Sequence, residues 1–438
     1  MTTVGKLDDR AKNPLRRLAY ISLGLLLLIN LVNYVDRYIL AAVVTTVQGE
    51  LLPNQPNADE KMGYLQTAFL VSYMLLSPLF GVLGDRYRRW IIIGIGVICW
   101  SLASGASGLA NTYMMMFCTR VFVGIGEAAY APIGPTLISD LFSVEQRGKV
   151  MAWFYMAIPV GSALGYALGG FAAKVATWHW AFLAMTIPGI LLGVSALFMA
   201  DPPRKSAVVS RKAGLNDYLE LLRIPSYVYN CAGMTALTFA MGGIAYWMPK
   251  YIHTFRGEAD LGKVNLIFGG ITVVTGISAT LLGGYVGDAL RKRIKGAYFV
   301  VSAAGLILAF PFFLLILYLP FPWAWGAIFL AEFFLFFNTG PSNTALANVV
   351  SPSVRATAFA LNIFIIHLLG DAISPPIIGR INDHFNHNMN YGFAIVGTMM
   401  LAGAVFWLIG ARHLDRDTER ALAAADAQET ASASPEGA

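Results

Sequence analysis

The chain has 438 residues, 57% of them apolar and only 13% charged, with a formal net charge of +6. Its apolar residues fall in blocks near the roughly 20 residues that a spanning helix needs, which excludes a soluble protein of two or three ordinary domains. The positive charge is sorted by loop, as described below, which excludes nucleic-acid binding as the reason for the basic excess.

In chain order, charge-free windows cover 18–35, 62–84, 90–119, 150–173, 175–200, 224–249, 264–287, 296–331, 333–354 and 384–411. Two further apolar runs are interrupted by charge: 113–139 holds Arg120 and Glu127, and 356–380 holds Asp371. Asn111-Thr112 and Pro320-Phe321-Pro322 break the longest windows. The pattern predicts an all-α membrane protein of twelve spanning helices, the first retained and not a cleaved signal segment. With the N-terminus inside, inner segments carry 23 of the 31 Lys and Arg residues and outer segments six. That bias predicts a multi-pass protein of the inner (plasma) membrane with both termini cytoplasmic.

Two echoes mark an internal repeat. "GVLGDRYRRW" (81–90) matches "GYVGDALRKRI" (284–294), and "LFSVEQRGKV" (141–150) matches "VVSPSVRATA" (349–358), at offsets of 203 and 208 residues. The predicted organisation is therefore an N-terminal six-helix bundle over 1–200, a cytoplasmic linker over 201–225, a C-terminal six-helix bundle over 226–413 and a disordered cytoplasmic tail over 414–438. Within the linker, Leu215, Tyr218, Leu219 and Leu222 share one helical face, which suggests a short amphipathic helix on the membrane surface.

Four ionisable residues fall inside the membrane region of the first half: Asp36 and Arg37 on the first helix, Arg120 and Glu127 on the fourth. A charge at the bilayer centre costs about 2.5–3.5 kcal/mol even on the lenient insertion scale, so intramembrane charges mark function or pairing. Arg120 and Glu127 are seven residues apart, within about 20° around the helix axis and about 10 Å along it, and make one polar stripe. Gly124 and Gly126 between them admit a close neighbour, a helix or a ligand. Asp36 and Arg37 differ by about 100° and cannot point along one line. Two readings stay open: an ion-pair network, Asp36 with Arg120 and Arg37 with Glu127, that orders the bundle, or a binding and coupling site. The second half offers only Glu332, His367 and Asp371 as counterparts.

Catalytic and cofactor signals are missing from the sequence. It holds no G-x-x-x-x-G-K-[ST], no H-E-x-x-H and no G-x-S-x-G run, and "GIGEAA" sits in a membrane helix with no preceding strand. Cys99, Cys118 and Cys231 lie in apolar helices without paired spacing. No enzyme activity, cofactor or metal is expected.

The Gly-x-x-Gly-Asp-basic signature after the second helix, weakly repeated after the eighth, resembles the major facilitator superfamily over the whole twelve-helix chain. The resemblance implies two pseudo-symmetric six-helix bundles that rock about a central site. Asp85 and Asp288 would then each lie beside a helix start in the other half, where a carboxylate is favoured. Arg86, Arg89, Asp140, Arg147 and Arg355 would join them in a cytoplasmic gate. "NYVDRY", "GEAAYAPIGPTLISDLF" and "AIPVGSALGYALGG" (157–170) together look like the Spinster family, in a bacterial member. That resemblance implies a secondary transporter, expected as a monomer, that moves an anionic amphiphile such as a lysolipid or a sphingosine-phosphate-like molecule, with protons as the coupling partner. Arg37 and Arg120 match the family's polar site as substrate-binding residues, and Asp36 and Glu127 as proton-coupling ones. In this assignment Arg37 anchors the anion while Arg120 positions Glu127. The Asn-Tyr-x-Asp-Arg block is shared with organic anion (carboxylate) to proton symporters, the alternative reading. An apolar groove would draw wall material from "AEFFLFFNTGPSN" (331–343).

Overall fold

A computed structural model describes residues 4–203, 215–351 and 354–433. Among them the chain is all helical: α1 (Val4–Leu51), α2 (Ala58–Arg86), α3 (Arg89–Ser107), α4 (Tyr113–Ala128), α5 (Ile133–Leu141), α6 (Val144–Val175), α7 (Trp178–Leu197), α8 (Leu215–Leu222), α9 (Pro225–Lys250), α10 (Leu261–Leu290), α11 (Ala297–Tyr318), α12 (Trp323–Phe336), α13 (Thr339–Asn348), α14 (Arg355–Ile366), α15 (Ser374–His384) and α16 (Met389–Ala433). Eleven spans are long and apolar enough to cross a membrane. The remaining span, tenth in chain order, is broken: α12 and α13 are 14 and 10 residues long, short singly but sufficient together. The fourth and eleventh spans are also interrupted, at 129–132 between α4 and α5 and at a π-helical turn, His367–Asp371, between α14 and α15.

One expectation needs correction. The stretch beyond 414, read as a disordered tail, continues α16 as helix to Ala433; "RALAAADAQE" is dense in strong helix formers, which outweighs its small, polar character. In the linker the chain forms α8, in which Leu221 is buried while Tyr218, Leu219 and Leu222 stay exposed. The short helix docks by one leucine and leaves an apolar side open, the side that an interfacial helix turns toward lipid. The remainder of the linker, 204–214, and the side chain of Leu215 lie outside the described residues.

The chain divides into two compact units. One comprises Met1–Gln55, Tyr64–Val208 and Ile252–Gly269; the other comprises Pro56–Gly63, Val209–Tyr251 and Gly270–Ala438. Helices α2 and α10 each begin in one unit and continue in the other.

Packing in the first unit follows from its small residues. Along α6, Gly161, Gly165 and Gly169 recur every fourth residue and form a smooth strip against α1. A Cβ on Gly161 would stand 2.5 Å from the Tyr34 Cβ, one on Gly165 2.5 Å from the Val35 carbonyl oxygen, and one on Gly169 2.6 Å from the Ala42 Cβ. Membrane helices associate by this kind of close backbone approach, because lipid supplies no hydrophobic drive between them. An exposed ion pair, Lys174 Nζ to Asp260 Oδ2 at 2.6 Å, also lies in this unit. That hydrogen bond, with the Lys263 amide, holds the Asp260 carboxyl below the usual carboxylate range; such surface pairs add little stability.

The repeat seen in the sequence has a structural counterpart at the third helix of each half. In the first unit the Asp201 carboxylate, just past α7, accepts from the Arg89 and Trp90 amides at 2.7 and 3.1 Å. In the second, Asp415 on α16 accepts from the Gly296 amide, just before α11, at 3.1 Å. Each carboxylate satisfies amides that have no intrahelical partner and meets the positive end of the helix dipole. The turn between α10 and α11 is longer than that between α2 and α3, which accounts for the shift in repeat offset.

Gly165→Leu should lower the stability of the purified protein by about 1–3 kcal/mol through overpacking. Gly24→Leu, where a side chain meets nothing within 4 Å, should leave it unchanged. Thermal unfolding in detergent reads both, and equal melting of the two variants would refute the packing role of the strip.

Candidate functional site

The four charges of the first unit do converge. Arg37 Nε donates to Glu127 Oε2 at 2.6 Å, with the arginine side chain 16% exposed and the glutamate fully buried. The guanidinium carbon lies 5.1, 5.2 and 4.8 Å from the ring centres of Tyr34, Phe69 and Tyr73. Three aromatic faces around a cation supply attraction that survives desolvation. Asp36, on the adjacent position and turned away from this pair, is buried and accepts a hydrogen bond from the Ser104 hydroxyl on α3. Neighbouring positions on α1 thus serve α4 and α3 respectively, as their separation around the axis requires.

Arg120 is fully buried with its guanidinium carbon 5.3 Å from the Phe69 ring centre. None of its three side-chain nitrogens has a hydrogen-bond partner among the described residues, and neither Asp36 Oδ2 nor Glu127 Oε1 has one. Its charge still acts on both acids. The expected role of Arg120 in positioning Glu127 therefore falls to Arg37, the pairing that the ion-pair reading anticipates. The other pairing in that reading, Asp36 with Arg120, is not a hydrogen bond. The physical reason lies in approach: a Cβ on Gly124 would meet the Ser72 hydroxyl at 2.1 Å and one on Gly126 the Trp100 amide at 2.6 Å. Both glycines admit neighbouring helices, α2 and α3, and the ring of Phe69 on α2 packs against both arginines.

The residues expected at a cytoplasmic gate fall in both units. In the first, Arg89 Nη1 donates to Asp140 Oδ2 at 2.5 Å, Arg89 Nη2 to the Pro202 carbonyl at 3.2 Å, and Arg147 Nη2 to the Ser139 carbonyl at 2.7 Å. Asp85 and Arg86 are exposed at the end of α2. In the second unit the Tyr298 hydroxyl donates to Asp288 Oδ1 at 2.7 Å, and Arg355 is exposed at the start of α14.

A cluster in the second unit was not among the sequence-predicted sites; its Lys250 is one of the six basic residues of the outer segments. Asp59, buried at the start of α2, forms an ion pair with Lys250 at the end of α9. Asp383 on α15 accepts from the Asp59 and Glu60 amides at 3.2 and 2.8 Å, and His387 Nδ1 lies 3.3 Å from Asp383. The ligand atoms of Asp59, Asp383 and His387 lie within 4.8 Å of one another. A metal ion there would have to displace or tolerate the Lys250 ammonium, so the cluster works as a capped ion pair. The sequence signal was the Asp-Glu pair in the first turn of α2, a favourable place for acids.

Residues 26–375 match the family model of the Major Facilitator Superfamily. Protein spinster homolog 1 of Xenopus tropicalis is 34% identical over 435 residues, covering 91% of this chain and 81% of the relative. The chain belongs to the Spinster family of major facilitators. The sphingosine-1-phosphate transporter SPNS2 of Danio rerio is 32% identical over 446 residues, covering 94% of this chain and 87% of that one. The crystal structure of a bacterial homolog to the human lysosomal transporter Spinster, inward-facing and unoccupied, matches with a TM-score of 0.74 at 19% identity, over 92% of this chain and 98% of the other. The fold is thus the major facilitator fold, and this Spinster-family chain is a multi-pass membrane transporter.

Asp59→Ala should destabilise the protein by about 3–5 kcal/mol, because Lys250 is left as an uncompensated buried charge. Adding Lys250→Met should recover most of the loss. Thermal melting checks both, and an Asp59→Ala protein that melts like the wild type would remove the cluster from the stabilising contacts.

Proposed function

We propose that this Spinster-family transporter moves an anionic amphiphile of the lysolipid or sphingosine-phosphate kind together with protons, by alternating access. The observation that carries the reading is the cluster of unsatisfied polar atoms at the four charges: a buried guanidinium with three unpartnered nitrogens beside two carboxylates that each keep an oxygen unpaired. Buried polar groups are ordinarily hydrogen-bonded, and exceptions concentrate where a ligand, proton or water completes the set. An arginine fork suits phosphate or carboxylate because it donates two parallel hydrogen bonds from a permanent charge.

Arg37 and Arg120 bind the anion, and Asp36 and Glu127 carry protons. The Arg37–Glu127 bond supports a linkage between them. Protonating Glu127 removes the charge that holds the guanidinium and frees it for an anionic headgroup. Conversely, a headgroup that takes Arg37 leaves Glu127 without its partner and favours its neutral form, so anion and proton bind together. Asp36 lies between loss of hydration and two neighbouring positive charges, a balance that a change of conformation can tip. Asp85, Arg86, Arg89, Asp140, Arg147, Asp288 and Arg355 form the cytoplasmic gate, and the protein sits in the inner (plasma) membrane with both termini cytoplasmic, as the Lys and Arg bias supports. The SPNS2 relative, named for sphingosine-1-phosphate, supports the choice of a lipid-like anion.

Arg37→Lys should insert normally and bind lysophosphatidate at least tenfold more weakly, a loss of about 1.4 kcal/mol or more, by calorimetry on purified protein. Wild-type affinity in that variant and in Arg37→Ala would exclude Arg37 as the anchor; tight binding of a short-chain carboxylate with none of the lysolipid would favour an organic anion symporter.

Asp36→Asn should abolish uptake driven by a pH gradient in proteoliposomes while substrate exchange persists. Glu127→Gln should bind the anion with an affinity that no longer varies with pH. If both variants retain full gradient-driven uptake, these acids do not couple protons.

A further inference from the structure

The second unit holds a carboxyl that none of these roles uses. Glu332 on α12 is only 6% exposed. Its oxygens face two threonines of α10: Thr272 Oγ1 lies 3.1 Å from Oε2 and 3.4 Å from Oε1, and Thr275 Oγ1 lies 3.4 Å from Oε2. The hydroxyl proton of Thr275 is already well placed toward the Ile271 carbonyl, at 2.7 Å. A hydroxyl has one proton to give, so the Thr275–Glu332 contact is best satisfied with the carboxyl as donor.

Among the described residues no positive charge pairs with Glu332. On the elements that meet it, the ionisable groups are Tyr298 and Tyr318 on α11, with Tyr285, Asp288 and Lys263 on α10. Asp288 and Lys263, near the two ends of α10, stand about 20 and 14 Å along the axis from the threonines. On α12 itself the neighbours are aromatic, with Phe329 against Phe333 and Phe333 against Phe334 at ring distances of 6.4 and 5.5 Å. A lone ionised carboxylate among such neighbours is the costliest arrangement a membrane bundle can hold, and the group neutralises instead. A sodium ion is a poor fit: two threonine oxygens and one carboxylate fall short of the six or so oxygens a hard cation gathers.

We propose that Glu332, hydrogen-bonded to Thr272 and Thr275, is a proton-binding site of the second unit, separate from the four charges of the first. It carries its proton in this conformation and gives it up when a change in packing admits water to the α10–α12 contact. The site stands whether or not Asp36 and Glu127 couple transport.

Infrared difference spectroscopy of the reconstituted full-length protein tests this. At neutral pH in sodium-free buffer, the wild type should show a protonated-carboxyl C=O stretch that Glu332→Gln lacks and that persists in an Asp36→Asn, Glu127→Gln double variant. Glu332→Asp, which keeps the acid, should shift that band without removing it, and this gives a reading if the amide variant fails to fold. Proton release on raising the pH, followed with an indicator dye, should fall by one per protein in Glu332→Gln. A spectrum unchanged by Glu332→Gln means that Glu332 is ionised and overturns the proposal. A band that disappears on adding sodium assigns the site to a metal cation and overturns it equally.

Discussion

A guanidinium held among apolar helices must find an acceptor or keep its full desolvation penalty, and the bond from Arg37 to Glu127 meets that requirement for the first unit. It joins the first spanning helix to the fourth. Around it, three aromatic rings close off the arginine, while the glycines of α4 bring α2 and α3 close enough to supply Phe69 and Ser104. The neighbouring cation, Arg120, is left with charge but without hydrogen bonds among the described residues, the imbalance on which the proposed ligand site rests.

Glu127 and Glu332, a buried glutamate in each unit, are held by different partners. In the first, two carboxylates and two guanidiniums sit together, so any change in one charge is felt by the other three through a medium of low dielectric. In the second, Glu332 has two threonine hydroxyls as its partners. His367 and Asp371 pair with each other across the π-helical turn at 2.9 Å, a local widening of a kind that recurs at functional sites.

Stability is supplied elsewhere and by different means. Small residues on α6 allow backbone contact along several turns, and aspartates at equivalent places in the two halves cap the third helix of each. The capped ion pair of Asp59 and Lys250 joins the first turn of α2 to α9 and α15. The strip on α6 meets Tyr34, whose ring also lies over the Arg37 guanidinium, so the packing of α1 and the placing of its arginine share a residue.

The number of spans, the apolar character of each and the repeat were determined by the sequence, because a helix in lipid must satisfy its backbone internally and so announces itself as a long uncharged run. The same economy of charge made Asp36, Arg37, Arg120 and Glu127 visible as a group. Which acid meets which base was decided only by the tertiary structure: residues 90 positions apart pair according to the rotation and separation of whole helices, and those depend on where glycines let backbones touch. The Asp59–Lys250–Asp383 cluster was hidden for a related reason, since each member looks like an ordinary charge at a helix end until three distant ends are folded together. Helical continuation past residue 414 lay within reach of local propensity, whereas the docking of α8 through Leu221 depended on a partner surface that no local pattern describes.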